Sequence, residues 1–207
     1  VVCLFFSVGF INAVNTVDGA NGLVIGIFII NCYIFTAEMD GIALPAGLYG
    51  ASLFLIFNVV SGRLFLGDAG AYGLGSILVL AGFYAVNTNR ISVEFAAVMM
   101  CYPCIEVIMS MIRRRIAGRS MFKPDNHHLH NYIHEHLKTK TRSRVAANSF
   151  TGLIVACAST GVAFFGVSMG FLDATSGQWG LVFVAQVLVY LFGYYMLSRP
   201  LREAVAQ

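Results

Sequence analysis

The sequence predicts an all-α fold: a polytopic transmembrane helical bundle of about six full spans plus a partial N-terminal one. Three observations carry this expectation. Of the 207 residues, 58% are hydrophobic and only 11% are charged. The mean hydropathy is +0.77, which excludes the ordinary division into an apolar core and a polar surface. The apolar residues also come in runs long enough to cross a hydrocarbon layer of about 30 Å, separated by short polar islands.

The first apolar run, Val1 to Ile11, is too short to span and begins without a methionine, so it reads as the end of a helix whose start lies upstream. A signal peptide is the competing reading, but a basic leader and a small-residue cleavage site are lacking. Full spans follow near 23–39, 43–60, 71–88, 92–112, 147–171 and 179–197. They form one integral membrane domain over 1–207, interrupted by a basic, histidine-rich loop at 113–145. The five cysteines fall within or beside spans, where they behave as small apolar residues and imply no disulfide framework. "CYPC" at Cys101 to Cys104 has redox spacing but lies inside a span, so packing beside Pro103 is its expected role.

Charge orients the bundle. Nine of the thirteen Lys and Arg residues sit in the 113–145 loop, which the positive-inside rule places in the cytoplasm. Counting spans from there puts Arg63, Arg199 and Arg202 on the same side and leaves Arg90 outside. Three polar islands reach that cytoplasmic face, while the links around Asp40, Asn87 to Arg90 and Asp173 to Gln178 read as connectors. Neither an inverted repeat nor a broken helix pair of the transporter kind is apparent.

The first island is "NAVNTVDGANGL", Asn12 to Leu23. Asn12, Asn15 and Asp18 recur every third residue, which sets them on one helical face at the membrane boundary, and Gly19 and Gly22 permit a turn and close backbone approach. Such a face offers oxygens to a hard cation or a nucleotide, with helix capping as the plainer alternative. The second, "GRLFLGDAGAYGLG", carries Asp68 as a lone carboxylate at the end of a span, placed to share Mg²⁺ with the first. Its glycines match neither phosphate-loop pattern, and Gly73 and Gly75 suit close helix packing. The third, "KPDNHHLHNYIHEH", holds all five histidines. His130 and His134 have the spacing of a zinc pair, but "HExxH" is absent and no second ligand cluster is near. A basic, titratable loop over a phosphate site fits better.

Taken in order, these islands resemble the motifs of the polyprenyl-phosphate N-acetylhexosamine-1-phosphate transferases. "NAVNTVDGANGL" is similar to N-A-x-N-x-x-D-G-x-[DN]-G-L, "FLGDAG" to F-[LM]-G-D-x-G-S, and "FKPDNHHLHNYI" to a D-x-x-H-x-H-H segment. The resemblance implies transfer of a sugar phosphate from a UDP-N-acetylhexosamine to undecaprenyl phosphate, releasing UMP, on the cytoplasmic face of a bacterial inner membrane. It implies Asp68 as principal ligand of Mg²⁺, with Mn²⁺ as an alternative, and Asn15 as a second ligand or pyrophosphate contact. Asp18 would orient the phosphates, Asn21 read the uracil edge and Phe65 stack on the base, with Asn12 and Gly19 completing the substrate-binding motif. His128 and His130 would contact the diphosphate or sugar, and Asp125 would anchor their loop.

The sequence departs from the family pattern at Ala71, Asn126 and Asn131. The family's paired aspartates belong to an earlier cytoplasmic loop, so this stretch alone is not expected to complete the transfer. The acceptor lipid, the UDP-sugar and the bilayer are the expected partners; no nucleic acid is expected, and a homodimer stays open. The rival readings are a non-catalytic relative, and a transporter or cation binder using the histidine loop.

Overall fold

The structure, a computed structural model, describes residues 1–38, 45–120 and 126–205, with 45–46 and 199–205 as backbone only. Nine α-helices and one π turn are described: α1 (Val2–Val17), α2 (Leu23–Glu38), α3 (Pro45–Ser61), α4 (Gly67–Asn87), α5 (Val93–Ile116), α6 (Leu129–Lys138), α7 (Arg144–Ala156), the π turn (Cys157–Gly161), α8 (Val162–Ser168) and α9 (Trp179–Val205). Among the described residues there is no strand, as expected of a polytopic all-α bundle.

Among the described residues, four helical stretches are long and apolar enough to cross a membrane: Gly67–Asn87, Val93–Ile116, Arg144–Ser168 and Trp179–Ser198. The first two expected full spans are shorter, with 16 residues in α2 and 17 in α3, or about 24–26 Å at the rise of an α-helix. Helix α2 begins after a turn at the buried Asn21 and α3 ends at the part-exposed turn 62–66, the backbone of both is bonded by the side chain of Asn58, and both turns line a cleft. Irregular backbone at such depth is tolerated where protein encloses it.

Helix α2 is the centre of the bundle, packing on α3, α4, α7 and the π turn. It is apolar all round, as a helix enclosed by others must be. Helices α1 and α4 cross closely at Gly75, where a Cβ would sit 3.3 Å from Ile11 Cα and from Val14 Cβ, whereas Gly73 faces open space. Small-residue packing thus accounts for one of the two glycines.

The expected span 147–171 is one helical stretch from Arg144 to Ser168 with the π turn inside it. A π turn shifts the hydrogen-bond ladder, and the Gln186 amide from α9 donates to the Ser159 carbonyl at 2.5 Å. Pro103 lies inside α5 without ending it, between the free thiols of buried Cys101 and half-buried Cys104. At the opposite end of the bundle, the Ser92 N–H donates to Ala174 O and Trp179 Nε1 to Asp173 O, so that connector is more tightly held than a plain link.

The 113–145 segment is not a loop throughout. Its first residues close α5, α6 forms its middle, and α6 packs against α7 and α9. The apolar stripe of α6 buries Leu129 and Tyr132 while its polar side stays outside.

Candidate active site

A cleft of about 340 Å³ lies at the end of the bundle where α1 and α3 finish and α2 and α4 begin. Asn15, Asp18, Gly19, Asn21, Phe65 and Asp68 all line it, so the first two islands meet there. The third arrives from the side. A Cβ on Gly19 would lie 2.8 Å from His130 Nε2, closer than real side-chain carbons come, so glycine is what lets the imidazole touch this turn. The neighbouring Gly22 has φ +83°, the left-handed conformation that sends the chain back into α2.

Asp18 follows the last residue of α1 and Asp68 sits in the first turn of α4. Burial, and next the charge of Asp68, push the Asp18 carboxyl up from 3.8 to about 6. Two acidic oxygen donors at one wall of a cleft, one of them hard to ionise beside the other, suit a hard cation that would relieve their repulsion. Asn15, half-buried, adds an amide oxygen, its Nδ2 donating to the Tyr72 hydroxyl at 3.3 Å. These donors fit Mg²⁺, which is commonly held by one or two carboxylates with substrate phosphates supplying the rest. Among the described residues no group of three or more His, Cys, Asp or Glu converges on one point.

Phe65 is 67% exposed at the cleft, an apolar ring kept open to solvent. Asn21 lines the cleft, but its amide is drawn to the protein side: Nδ2 donates to Ser149 Oγ at 3.3 Å and Ser149 Oγ donates to Val59 O at 2.8 Å. Asn12 does not reach the cleft. It is exposed, and its Nδ2 donates to Val8 O of its own helix at 2.7 Å. Three residues turn a helix by 300°, so each step along Asn12, Asn15 and Asp18 slips about 60° round the axis, and the first falls away from the face of the last. Asp125 lies outside the described residues.

His128 and His130 are buried, their rings stacked 5.4 Å apart at 4° between planes. His130 Nδ1 is 3.0 Å from the Tyr102 hydroxyl, and burial pulls its pKa down from 6.5 to about 4. His130 is therefore neutral at pH 7, which corrects the expectation of a basic, titratable loop at this position. His128 Nδ1 is 3.0 Å from Glu106 Oε1, and the Leu129 N–H donates to Glu106 Oε2 at 3.0 Å.

Three positions that shape the site were missed in the sequence. Asn58, 5% exposed on α3, accepts from the Gly22 N–H and donates to Leu64 O, each at 2.6 Å. It ties the first island to the second. Glu106, fully buried in α5, holds the histidine segment. Gly152 on α7 allows the carbonyl of Asn21 to approach, because a Cβ there would overlap it. The signal for the first two was a polar or ionised side chain inside an apolar run, which is costly in a membrane without a partner.

The sequence is similar to known proteins. The sequence pattern described as Glycosyl transferase family 4 matches residues 1–86. An undecaprenyl-phosphate alpha-N-acetylglucosaminyl 1-phosphate transferase of Thermotoga maritima is 28% identical over 193 residues, covering 93% of this chain and 57% of that protein. A phospho-N-acetylmuramoyl-pentapeptide-transferase of Staphylococcus carnosus is 32% identical over 140 residues, 62% of this chain and 42% of its own. A decaprenyl-phosphate N-acetylglucosaminephosphotransferase of Mycobacterium tuberculosis is 28% identical over 158 residues, 63% and 39% respectively. No solved structure matches the chain. The chain spans about half the length of the curated relatives it matches. The family pattern covers the first two islands and the Thermotoga alignment covers 93% of the chain, so the sequence is similar to glycosyl transferase family 4 over residues 1–86 and to that transferase over nearly all of its length.

Proposed function

We propose that the protein transfers an N-acetylhexosamine-1-phosphate from a UDP-sugar to undecaprenyl phosphate, releasing UMP, at the cytoplasmic face of a bacterial inner membrane. The observation that carries this reading is the meeting of Asp18, Asp68 and Phe65 in one cleft, with the His130 ring against Gly19. An acidic pair beside an open aromatic ring is suited to a nucleoside diphosphate brought with a cation.

In this reaction an oxygen of the lipid phosphate forms a bond to the β-phosphorus, and the bond from that phosphorus to the bridging oxygen breaks. The electron pair leaves with UMP. The nucleophile is already anionic, so the protein's task is positioning and charge neutralisation. Asp68 and Asp18, with Asn15, would hold Mg²⁺, or Mn²⁺ in its place, which supplies the positive charge the phosphates need. Phe65 offers its ring to the base, and the Tyr72 hydroxyl keeps Asn15 turned along the cleft wall. Neutral His130 contributes a hydrogen bond rather than a charge: its Nδ1 is 3.0 Å from the Tyr102 hydroxyl, and its Nε2 lies against the Gly19 turn, where it would meet a phosphoryl oxygen or a sugar hydroxyl.

The relatives' names support the acceptor class, since they act on undecaprenyl or decaprenyl phosphate. The test is release of UMP from UDP-N-acetylglucosamine by native membranes carrying the full-length protein, with and without undecaprenyl phosphate and Mg²⁺. UMP formation that needs both, with a lipid-linked sugar as the other product, is expected. Absence of any lipid-linked product from UDP-N-acetylglucosamine or UDP-N-acetylgalactosamine would overturn the reading.

A further inference from the structure

An apolar groove runs down one side of the bundle and has no part in the chemistry above. The portion nearer α6, about 490 Å³, lies between α5, α6, α7 and α9 and extends from Leu129 and Leu197 to Val162 and Val182. A second apolar space of about 440 Å³ shares Val162 and Val182 and continues to Phe171 and Trp179. Measured along α9, the stretch from Leu197 to Trp179 is about 27 Å at the rise of an α-helix.

Small residues leave this space open, and packing fixes its walls. Ala158, Ala185 and Gly193 line it. A Cβ on Gly193 would meet only Leu129 Cδ1, at 3.9 Å, an ordinary contact, so no neighbouring element fills the room beside α9. Midway, the Gln186 amide donates to Ser159 O and ties α9 to the π turn. At the far end, glycine at 166 admits the Trp179 ring, since a Cβ there would overlap it, and that ring is 1% exposed.

Length and position select the occupant. The hydrocarbon core is about 30 Å thick, so one leaflet gives a phospholipid chain about 15 Å of depth. A groove of about 27 Å crosses most of both leaflets, and a single chain that fills it is longer than a phospholipid acyl chain. The groove also reaches the candidate site. Tyr102 lines it, the Tyr102 hydroxyl is 3.0 Å from His130 Nδ1, and the His130 ring abuts the Gly19 turn of the cleft.

We infer that this groove seats the polyprenyl chain of the acceptor lipid, lying between α5 and α9 with its phosphate toward the cleft. The inference deepens the transferase reading and rests on it for the identity of the lipid. The bilayer is as apolar as the groove, so the chain is held by close packing rather than by exclusion of water. Length and fit therefore distinguish this lipid from its surroundings.

The first test uses the full-length protein in native membranes and a polyprenyl phosphate carrying a photoactivatable diazirine midway along its chain. A phosphatidylglycerol with the same group on an acyl chain is the comparison. The polyprenyl probe is expected to label 154–162 and 182–197, and excess undecaprenyl phosphate should abolish that labelling. Equal labelling by the phosphatidylglycerol probe, unmoved by undecaprenyl phosphate, would mean that bulk lipid fills the groove and overturns the inference. Absence of labelling by either probe would mean that protein covers it, and overturns the inference as well.

The second test fills the groove. Gly193→Phe should raise KM for undecaprenyl phosphate by about 5- to 30-fold, the equivalent of roughly ten forfeited carbon contacts, and KM for the UDP-sugar by less than about 3-fold. The advantage of undecaprenyl phosphate over farnesyl phosphate, whose chain is far shorter, should shrink with it. An unchanged KM together with an unchanged preference for the long chain overturns the inference. A wild type that forms no lipid-linked sugar with either acceptor defeats the transferase reading instead, and the labelling still decides what the groove holds.

Discussion

Replacing Asn58 by leucine removes two 2.6 Å hydrogen bonds at once, one from the Gly22 N–H and one to Leu64 O, while nearly conserving volume. The two bonds differ in value. The Gly22 N–H is buried, and water does not replace a lost acceptor there, so its desolvation costs about 1–3 kcal/mol. The Leu64 carbonyl belongs to a part-buried turn that water reaches, and its bond is worth about 0.5–1.5 kcal/mol. The expected loss is therefore about 1.5–4.5 kcal/mol of stability, large against the roughly 5–15 kcal/mol of a typical fold. The loss should be local before it is global: the 18–22 turn and the 62–66 turn should come apart and open the cleft. The assay is thermal unfolding in detergent together with amide exchange at Gly22. Asn58→Asp serves as the control, since it keeps the acceptor for Gly22 and loses only the donor to Leu64. A leucine variant that melts like the wild type, with Gly22 equally protected, would refute the clamp.

Three further outcomes are expected. Asp68→Asn should nearly abolish UMP release while leaving the melting temperature within a degree or two, because the side chain is exposed in the first turn of α4 and the change is isosteric; turnover near wild type at limiting Mg²⁺ would remove Asp68 from the cation site. The raised Asp18 carboxyl favours the folded state fully below 3.8 and loses that contribution as pH climbs to about 6, so the cation-free protein should melt lower at pH 7 than at pH 5. Mg²⁺ should reverse this above pH 6, and Asp18→Asn should flatten the profile. Gly152→Ala should push the Asn21 carbonyl away from α7 and destabilise by about 1–3 kcal/mol, a shift read by thermal melting; an unchanged melting curve would mean the helix moves without cost.

Local pattern made much of this protein legible. The runs of apolar residues give the membrane class, and most helix bounds fall within a few residues of the sequence expectation, because hydropathy and helical rise act along the chain. The polar islands stood out for the same reason. The resemblance then grouped Asp18, Asp68, Phe65 and His130 into one site, and the structure brings them around one turn. Asn12 shows the limit of reasoning from spacing. Its place in the motif is unmistakable, yet its side chain bonds its own helix, because three residues do not complete a turn.

By itself, the sequence determined the class of environment and which side chains carry chemistry: a bilayer penalises every exposed polar group, so each one retained marks a position of consequence. Tertiary structure alone decided who answers whom. Gly22 and Asn58 are 36 residues apart, and Glu106 and His128 are 22 apart. No local periodicity links such pairs. Their meeting follows from how α1, α3, α5 and α6 cross, and that crossing depends on volumes summed over the whole bundle. Burial then decided the charge of His130, since the same imidazole that is basic in water is neutral beneath α5 and α9, where nothing solvates the proton.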